Sequence, residues 1–132
     1  MTFHVNARHA TACALATAMA LALAGCTGDQ VKPSYSRSSL EPVIATQVSE
    51  YTLQIQFEEP AESMFYAGGI SYIVQGDTMK VVIDRCRINT MCDTMLRRHI
   101  EPGPPRPALQ NIPLLAPRVV MIFADGEDQI FP

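Results

Sequence analysis

The sequence predicts a mainly β fold: a small antiparallel sheet or sandwich of about five strands with one short α-helix. Residues 51–57 alternate apolar and polar side chains without interruption, which is the period of a half-buried strand. Two β-rich runs, residues 70–75 and 78–87, flank a Gly76-Asp77 pair that favours a two-residue hairpin turn. Residues 118–124 are the most strongly apolar strand candidate.

Other elements are predicted around these runs. Residues 43–48 are a candidate first strand, and Gly68-Gly69 indicates a bend or bulge. A helix of about ten residues is predicted from Thr90, where Asp93 three positions later resembles a capping box. Its last turn carries Arg97 and Arg98, which complement the helix dipole.

The C-terminal third begins with prolines. Residues 102–117 hold six of the ten prolines, which excludes a helix interior or a central strand and predicts an extended surface connector. After the strand at 118–124, Asp125-Gly126 predicts a turn, and residues 129–131 are expected to pair back. No internal repeat is present.

Length and charge limit the function classes. The chain has 132 residues, enough for one domain, with 10 Lys and Arg against 13 Asp and Glu, a net charge of −3. This balance gives no electrostatic reason to expect nucleic-acid binding, because nucleic-acid binders usually carry a basic surface. It also argues against a basic helix on a membrane surface.

The N-terminus is typical of a targeting segment. Arg8 precedes an apolar run of 15 residues at positions 10–24, which is short for a bilayer span of about 20 residues. That length and the small residues that follow favour a cleaved secretory signal over a buried alanine-rich helix or a short membrane anchor. Leu23-Ala24-Gly25-Cys26 then resembles the lipobox of bacterial lipoprotein signal peptides.

This resemblance covers residues 1–26 only. It implies cleavage before Cys26, with diacylglycerol on the Cys26 sulfur and an acyl chain on the new amino terminus. In similar Gram-negative lipoproteins an Asp directly after the cysteine favours the inner membrane. Thr27 stands there in this chain, so the resemblance implies the periplasmic face of the outer membrane.

The mature chain divides into a tether and a domain. Residues 26–49 are predicted to be the lipidated cysteine and a flexible tether, because residues 27–41 are rich in Ser, Gly and charge and poor in apolar side chains. Residues 50–132 are predicted to be the folded β-rich domain, large enough for an independent but thin core.

Two cysteines remain in an oxidising compartment once Cys26 carries lipid and the signal leaves. Cys86 and Cys92 are spaced C-x5-C, which matches neither the C-x-x-C redox motif nor the usual spacing of zinc ligands. A structural disulfide is therefore the preferred prediction. The alternative is a metal site, completed by Asp84, Asp93 or His99.

A local cluster of basic side chains interrupts the otherwise acidic chain; its members are Arg85, Arg87, Arg97, Arg98 and His99. Arginine's planar fork recognises phosphate and carboxylate groups, so the four arginines are a candidate site for an anionic envelope component such as peptidoglycan or lipopolysaccharide. Solvated charges and helix capping are the structural alternative.

No catalytic arrangement emerges. Two acid clusters, at positions 58–62 and 125–128, lie at predicted strand ends and turns where carboxylates are ordinarily solvated. His99 is the single histidine after the signal, and no serine lies in a G-x-S-x-G motif. We therefore predict no enzyme, no metal and no cofactor. The proline run 104–107 is a candidate polyproline ligand, and exposed strand edges are candidate docking sites.

These observations favour a lipid-anchored periplasmic module that docks on a protein partner within an envelope assembly. A binder of an anionic envelope component, acting through the arginine cluster, is the second hypothesis.

Overall fold

The described part of the molecule, residues 31–102 and 107–132 of a computed structural model, consists of two open β-sheets. The elements are α1 Arg37–Leu40, β1 Ile44–Ser49, β2 Thr52–Phe57, β3 Phe65–Gln75, β4 Thr78–Arg87, β5 Leu96–Arg97, β6 Ala108–Pro113, β7 Arg118–Phe123 and β8 Gly126–Phe131. The mainly β class with one short helix is thus confirmed. The predicted signal peptide (residues 1–25) and Cys26 lie outside the described residues.

The first sheet has the order β1-β2-β6 and the second the order β5-β3-β4-β7-β8. All neighbours are antiparallel except β4 and β7, which run parallel. A parallel neighbour needs a long crossover connection, and the chain supplies one between Arg87 and Arg118 that contains β5 and β6. This connection adds β5 to the second sheet and β6 to the first before β7 pairs with β4.

The inward faces of the two sheets share one hydrophobic core, so the sheets pack face to face as a sandwich. The alternation in β2 buries Leu53, Ile55 and Phe57 completely, as its sequence period predicts. The opposing sheet contributes Met79, Val81, Ile83, Val119, Met121 and Phe123. Together these side chains are the main source of hydrophobic stabilisation.

The β3–β4 hairpin confirms the prediction made from Gly76-Asp77. Gly76 has φ +62°, the left-handed conformation that a primed two-residue turn requires. The register pairs Ile70 with Ile83 and Tyr72 with Val81 on the core face. Near the other end of the hairpin the register shifts between Ala67 and Gly69, which confirms the predicted bulge.

The folded part of the chain begins before Glu50, where the sequence reading placed its boundary. Tyr35 and Leu40 are buried in the core, and β1 pairs with β2 over most of its length. Residues 35–49 are therefore part of the domain and not tether. Two isolated apolar side chains in a polar segment gave no periodic signal that could have revealed this.

The helix predicted from Thr90 to His99 is wrong. The described chain forms an irregular loop over residues 88–95, followed by the two-residue strand β5 beside β3. Thr90 does not cap a helix; its hydroxyl donates to the Arg87 carbonyl oxygen at 2.9 Å and closes a turn. The ten-residue segment could not form a helix without tertiary support, and here the tertiary contacts favour extended backbone.

The proline-rich segment is also only partly a connector. Residues 108–113 form β6, which pairs with β2 at the edge of the first sheet. Pro107 directly precedes this strand and Pro113 is its last residue, so no proline lies in the strand interior, and an edge strand tolerates a missing backbone donor. The final hairpin, β7–β8, confirms the two predicted strands, but its turn residues are Ala124 and Asp125, one position before the predicted Asp125-Gly126 pair, because Gly126 already pairs with Phe123.

The sandwich has two distinct ends. At the entry end the chain joins the domain: the Ala124 amide donates to the Tyr35 carbonyl oxygen at 2.8 Å, and the Glu58 amide donates to that of Leu40 at 3.0 Å. At the far end the Leu114 amide donates to the Tyr51 carbonyl oxygen, and the Arg118 amide donates to that of Asp77. Because β4 and β7 are parallel, the C-terminal ends of both strands lie at the entry end.

A disulfide joins Cys86 to Cys92 at the entry end, as predicted, with Cα atoms 5.2 Å apart. Gly68 faces this disulfide on the neighbouring strand, and a Cβ added there would overlap both sulfur atoms. Gly69 is similarly close to the backbone of Leu96 and the side chain of Thr94. The glycine pair therefore allows residues 92–97 to pack directly on β3, in addition to forming the bulge.

Replacing Cys86 and Cys92 together by alanine is expected to lower the free energy of unfolding by about 2 kcal/mol, because the closed loop is short. Denaturant unfolding of the mature chain carrying Cys26→Ser measures the change. The Cys26→Ser protein that keeps Cys86 and Cys92 serves for thiol titration. In its unreduced, denatured form it should show no free thiol, whereas two free thiols would contradict the disulfide.

Candidate functional site

The predicted arginine cluster lies mainly at the entry end, and its members have different environments. Arg85 makes a bidentate ion pair with Glu62, with its Nη2 2.8 Å and its Nε 3.0 Å from Glu62 Oε1. Its guanidinium also lies 3.7 Å above the centre of the Phe65 ring. Arg85 is thus neutralised within the chain and held in place by the aromatic ring.

Arg98 is a structural residue. Its side chain is only 7% exposed, and its Nη2 lies 2.6 Å from Glu59 Oε2. Its Nε donates to the Ala67 carbonyl oxygen at 2.8 Å, while the Ala67 amide donates to Glu59 Oε1 at 3.1 Å. Arg98, Glu59 and the bulge of β3 therefore form a closed hydrogen-bonded ring, which we call the bulge clamp.

Arg87 and Arg97 are exposed, as Arg85 is, but neither forms an ion pair with a described residue. Arg87 ends β4 and Arg97 ends β5, and β3 lies between these two strands. His99 is also exposed. The structure therefore does not bring the four arginines together as one anion site: two are committed to carboxylates, and two are separated across the sheet.

A groove of about 800 Å³ lies beside the bulge clamp. Its ionisable lining residues are Glu58, Glu59, Glu62, Glu101, Arg98 and His99. The predicted carboxylate cluster at 58–62 is thus partly used in ion pairs and is not simply solvated. No described residue lining this groove is a serine or a cysteine.

The second acid cluster holds the entering chain. Asp125 Oδ1 accepts a hydrogen bond from the Arg37 amide at 2.8 Å, and Asp128 forms an ion pair of the same length with the Arg37 side chain. Arg37 also lies over the Phe123 ring. These acids therefore fix residues 35–41 against the β7–β8 turn, a role that sequence reasoning did not assign to them.

Tyr35 lies in the core, close to the Arg85–Glu62 and Arg98–Glu59 ion pairs. Its hydroxyl is buried and has no hydrogen-bond partner among the described residues. Burial raises the pKa of the Tyr35 hydroxyl well above its ordinary value, and the nearby Glu62 and Glu59 carboxylates add to the increase. Tyr35 consequently stays neutral and acts as a packing residue.

Asp84 connects the irregular loop to the hairpin. Ser71 Oγ and Thr94 Oγ1 each donate a hydrogen bond to Asp84 Oδ2 at 2.6 Å, and the Met95 amide donates to Ser71 Oγ. The pKa of the Asp84 carboxyl lies above its usual value of 3.8, because burial outweighs the stabilising effect of the two hydroxyl donors. Asp84 therefore has a local structural role.

Two groups of exposed apolar side chains lie at opposite ends of the sandwich. The entry-end tip consists of Met64, Ile88 and Met91, around the disulfide loop. The far-end patch consists of Val48, Tyr51 and Leu115. Sequence reasoning missed both groups, because a strand pattern does not predict which apolar side chains beyond the strands are left uncovered.

The described residues contain no group of three His, Cys, Asp or Glu side chains placed to hold a metal ion. Within the same ranges, no helix has the length and apolarity needed to cross a bilayer. Comparisons with protein-family models, with curated proteins and with solved structures find no significant match.

Replacing Arg98 by methionine is expected to lower the free energy of unfolding by about 2–4 kcal/mol, because it leaves Glu59 and the Ala67 carbonyl without their donor. Arg87→Met is the matched control, with an expected change below about 0.5 kcal/mol at an exposed position. Chemical denaturation measures both variants. Equal stabilities would show that the bulge clamp contributes little.

Asp84→Asn is expected to change how stability depends on pH. Between pH 3.8 and the raised pKa, folded Asp84 binds more protons than unfolded Asp84, so stability falls as pH rises through this window and is constant above it. The Asp84→Asn variant does not lose this stability in the same window, because an amide side chain does not titrate. Its free energy of unfolding minus that of wild type should therefore increase above pH 3.8 and then level off. A pH-independent difference would contradict the assignment.

Proposed function

We propose that this chain is a lipid-anchored module of a bacterial cell envelope, attached through Cys26 to the periplasmic face of the outer membrane, which docks on a protein partner. The far-end patch is the observation that carries the docking part of the proposal. Tyr51 is 71% exposed there, in the turn between β1 and β2 that Val48 precedes, and its carbonyl oxygen accepts a hydrogen bond from the amide of Leu114, the neighbour of Leu115. Tyrosine surrounded by smaller apolar side chains is typical of the energetic centre of a protein interface.

The outer face of the first sheet extends this surface. The buried residues of β2 alternate with residues on the outer face of the sheet. These outer-face residues and their register partners in β1 and β6 are uncharged: Ile44, Thr46, Gln54, Gln56, Leu109 and Asn111. Interface cores are depleted of charged residues, and this face meets that condition over three strands. The free edges of β1 and β6 offer backbone groups for strand addition beside it.

The anchoring part of the proposal is supported by the distance along the chain. Cys26 precedes the first core residue, Tyr35, by nine positions. At roughly 3.4 Å per residue, even a fully extended connection reaches no more than about 30 Å. A lipid at Cys26 would therefore keep the entry end within about 30 Å of the membrane surface.

Binding of an anionic polymer through the arginine cluster has less support. Arg85 and Arg98 are already paired with Glu62 and Glu59, and glutamates are the most numerous ionisable side chains that line the neighbouring groove. A carboxylate or phosphate ligand would have to displace these intramolecular partners and approach like charges.

Photocrosslinking in living cells tests the docking surface. A benzoylphenylalanine at position 51 is expected to crosslink one envelope protein, and the same group at the exposed Glu127 of β8 is not. Purified partner should then bind Tyr51→Ala at least ~10-fold more weakly, since a central interface tyrosine is usually worth more than 1.4 kcal/mol. Crosslinking that is equal at both positions would contradict a specific far-end interface.

The anchor is tested separately. Mass spectrometry of the N-terminal peptide should show acylated Cys26, and Cys26→Ser should move the protein from the membrane fraction to the soluble periplasmic fraction. Identical fractionation of both forms would contradict lipid attachment.

A further inference from the structure

The entry-end tip presents large apolar side chains to solvent. Met91 is 93% exposed, the highest value among the large apolar side chains that the structure describes as exposed. Met64 and Ile88 are 44% and 39% exposed beside it, and the Ile88 amide donates to the Met64 carbonyl oxygen at 3.0 Å. Three apolar side chains are thus presented to solvent at one end of a hairpin.

The backbone of the tip is held in place. The Cys86–Cys92 disulfide closes the loop, and Asn89 adopts φ +59°, a left-handed conformation that asparagine tolerates well. The hydrogen bond between Thr90 and the Arg87 carbonyl tightens it further. Insertion of Met91 into a membrane would therefore cost the loop little conformational entropy, because most of its backbone is already ordered.

The tip and the entering chain lie at the same end of the sandwich. Tyr35 is hydrogen-bonded to Ala124, just beyond β7, and the tip follows the end of β4, the parallel neighbour of β7. A bilayer that carries the Cys26 lipid would therefore face the tip. Arg87, exposed at the end of β4, is placed to meet lipid phosphates while the apolar side chains enter the interface.

We propose that the entry-end tip, Met64, Ile88 and Met91 with Arg87 beside them, inserts into the surface of the phospholipid bilayer that holds the anchor. This inference rests on the proposed anchoring at Cys26. Three side chains bind a bilayer weakly by themselves, but the anchor supplies a high local concentration. The tip therefore sets the orientation of the domain, and it directs the far-end patch away from the membrane.

The absence of tryptophan from the chain provides a direct test, since one introduced tryptophan becomes the sole indole reporter. Met91→Trp is compared with Tyr51→Trp at the far end, where the native side chain is also exposed. Each lipidated variant is reconstituted in vesicles of phosphatidylethanolamine and phosphatidylglycerol, with and without brominated acyl chains. Equal unfolding midpoints with wild type establish that both variants are folded.

Met91→Trp is expected to emit at shorter wavelength in vesicles than in the soluble Cys26→Ser background. Brominated lipid should remove more than about half of its intensity, because an interfacial side chain lies about 5–10 Å into the headgroup and acyl boundary. Tyr51→Trp should show neither effect. Adding Arg87→Glu to Met91→Trp should reduce the quenching.

An acylated Met91→Trp protein whose emission is unaffected by brominated lipid would refute the tip while leaving the anchor intact. Quenching of Tyr51→Trp instead would refute the proposed orientation. A Cys26 found unacylated by mass spectrometry would refute the anchoring, and the tip proposal with it.

Discussion

The packing of residues 92–98 directly on β3 is the contact on which the rest of the structure depends. It requires two adjacent glycines, because a side chain at Gly68 would overlap the disulfide and one at Gly69 would overlap the backbone of Leu96. Arg98 then closes the bulge clamp between β3 and the segment after β2. Gln110 of the first sheet donates to the Leu96 carbonyl at 2.7 Å, so the same segment also joins the two sheets.

The sequence predicted those parts of the fold whose signals are local. Alternation in β2 and the glycine turn of the β3–β4 hairpin depend only on neighbouring residues, and both were confirmed. The predicted helix failed because spacing that suits a helix also suits a loop pinned by a disulfide and by Asp84. Tyr35, a single core residue inside a polar segment, could be recognised only from its long-range packing.

The site shows the same division between local and distant information. The sequence located the arginines, but it could not reveal that Arg85 and Arg98 pair with glutamates 23 and 39 positions away. In the folded protein Arg85 and Arg98 form ion pairs, while Arg87 and Arg97 are exposed and form none with a described residue. The disulfide was predicted from the C-x5-C spacing together with the oxidising compartment that the N-terminal signal implies, and the pairing of Cys86 with Cys92 is confirmed.

The parallel pairing of β4 with β7 has a consequence for the order of assembly. On one side, β4 pairs with β3 across a two-residue turn. On its other side, the partner of Thr78 in β7 is Arg118, forty positions later in the chain. Contacts between distant residues form slowly, since a long loop must be closed first. Until β7 and β8 arrive, the backbone of β4 is an open template for other chains. We therefore expect the C-terminal hairpin to act as an intramolecular safeguard against aggregation during folding.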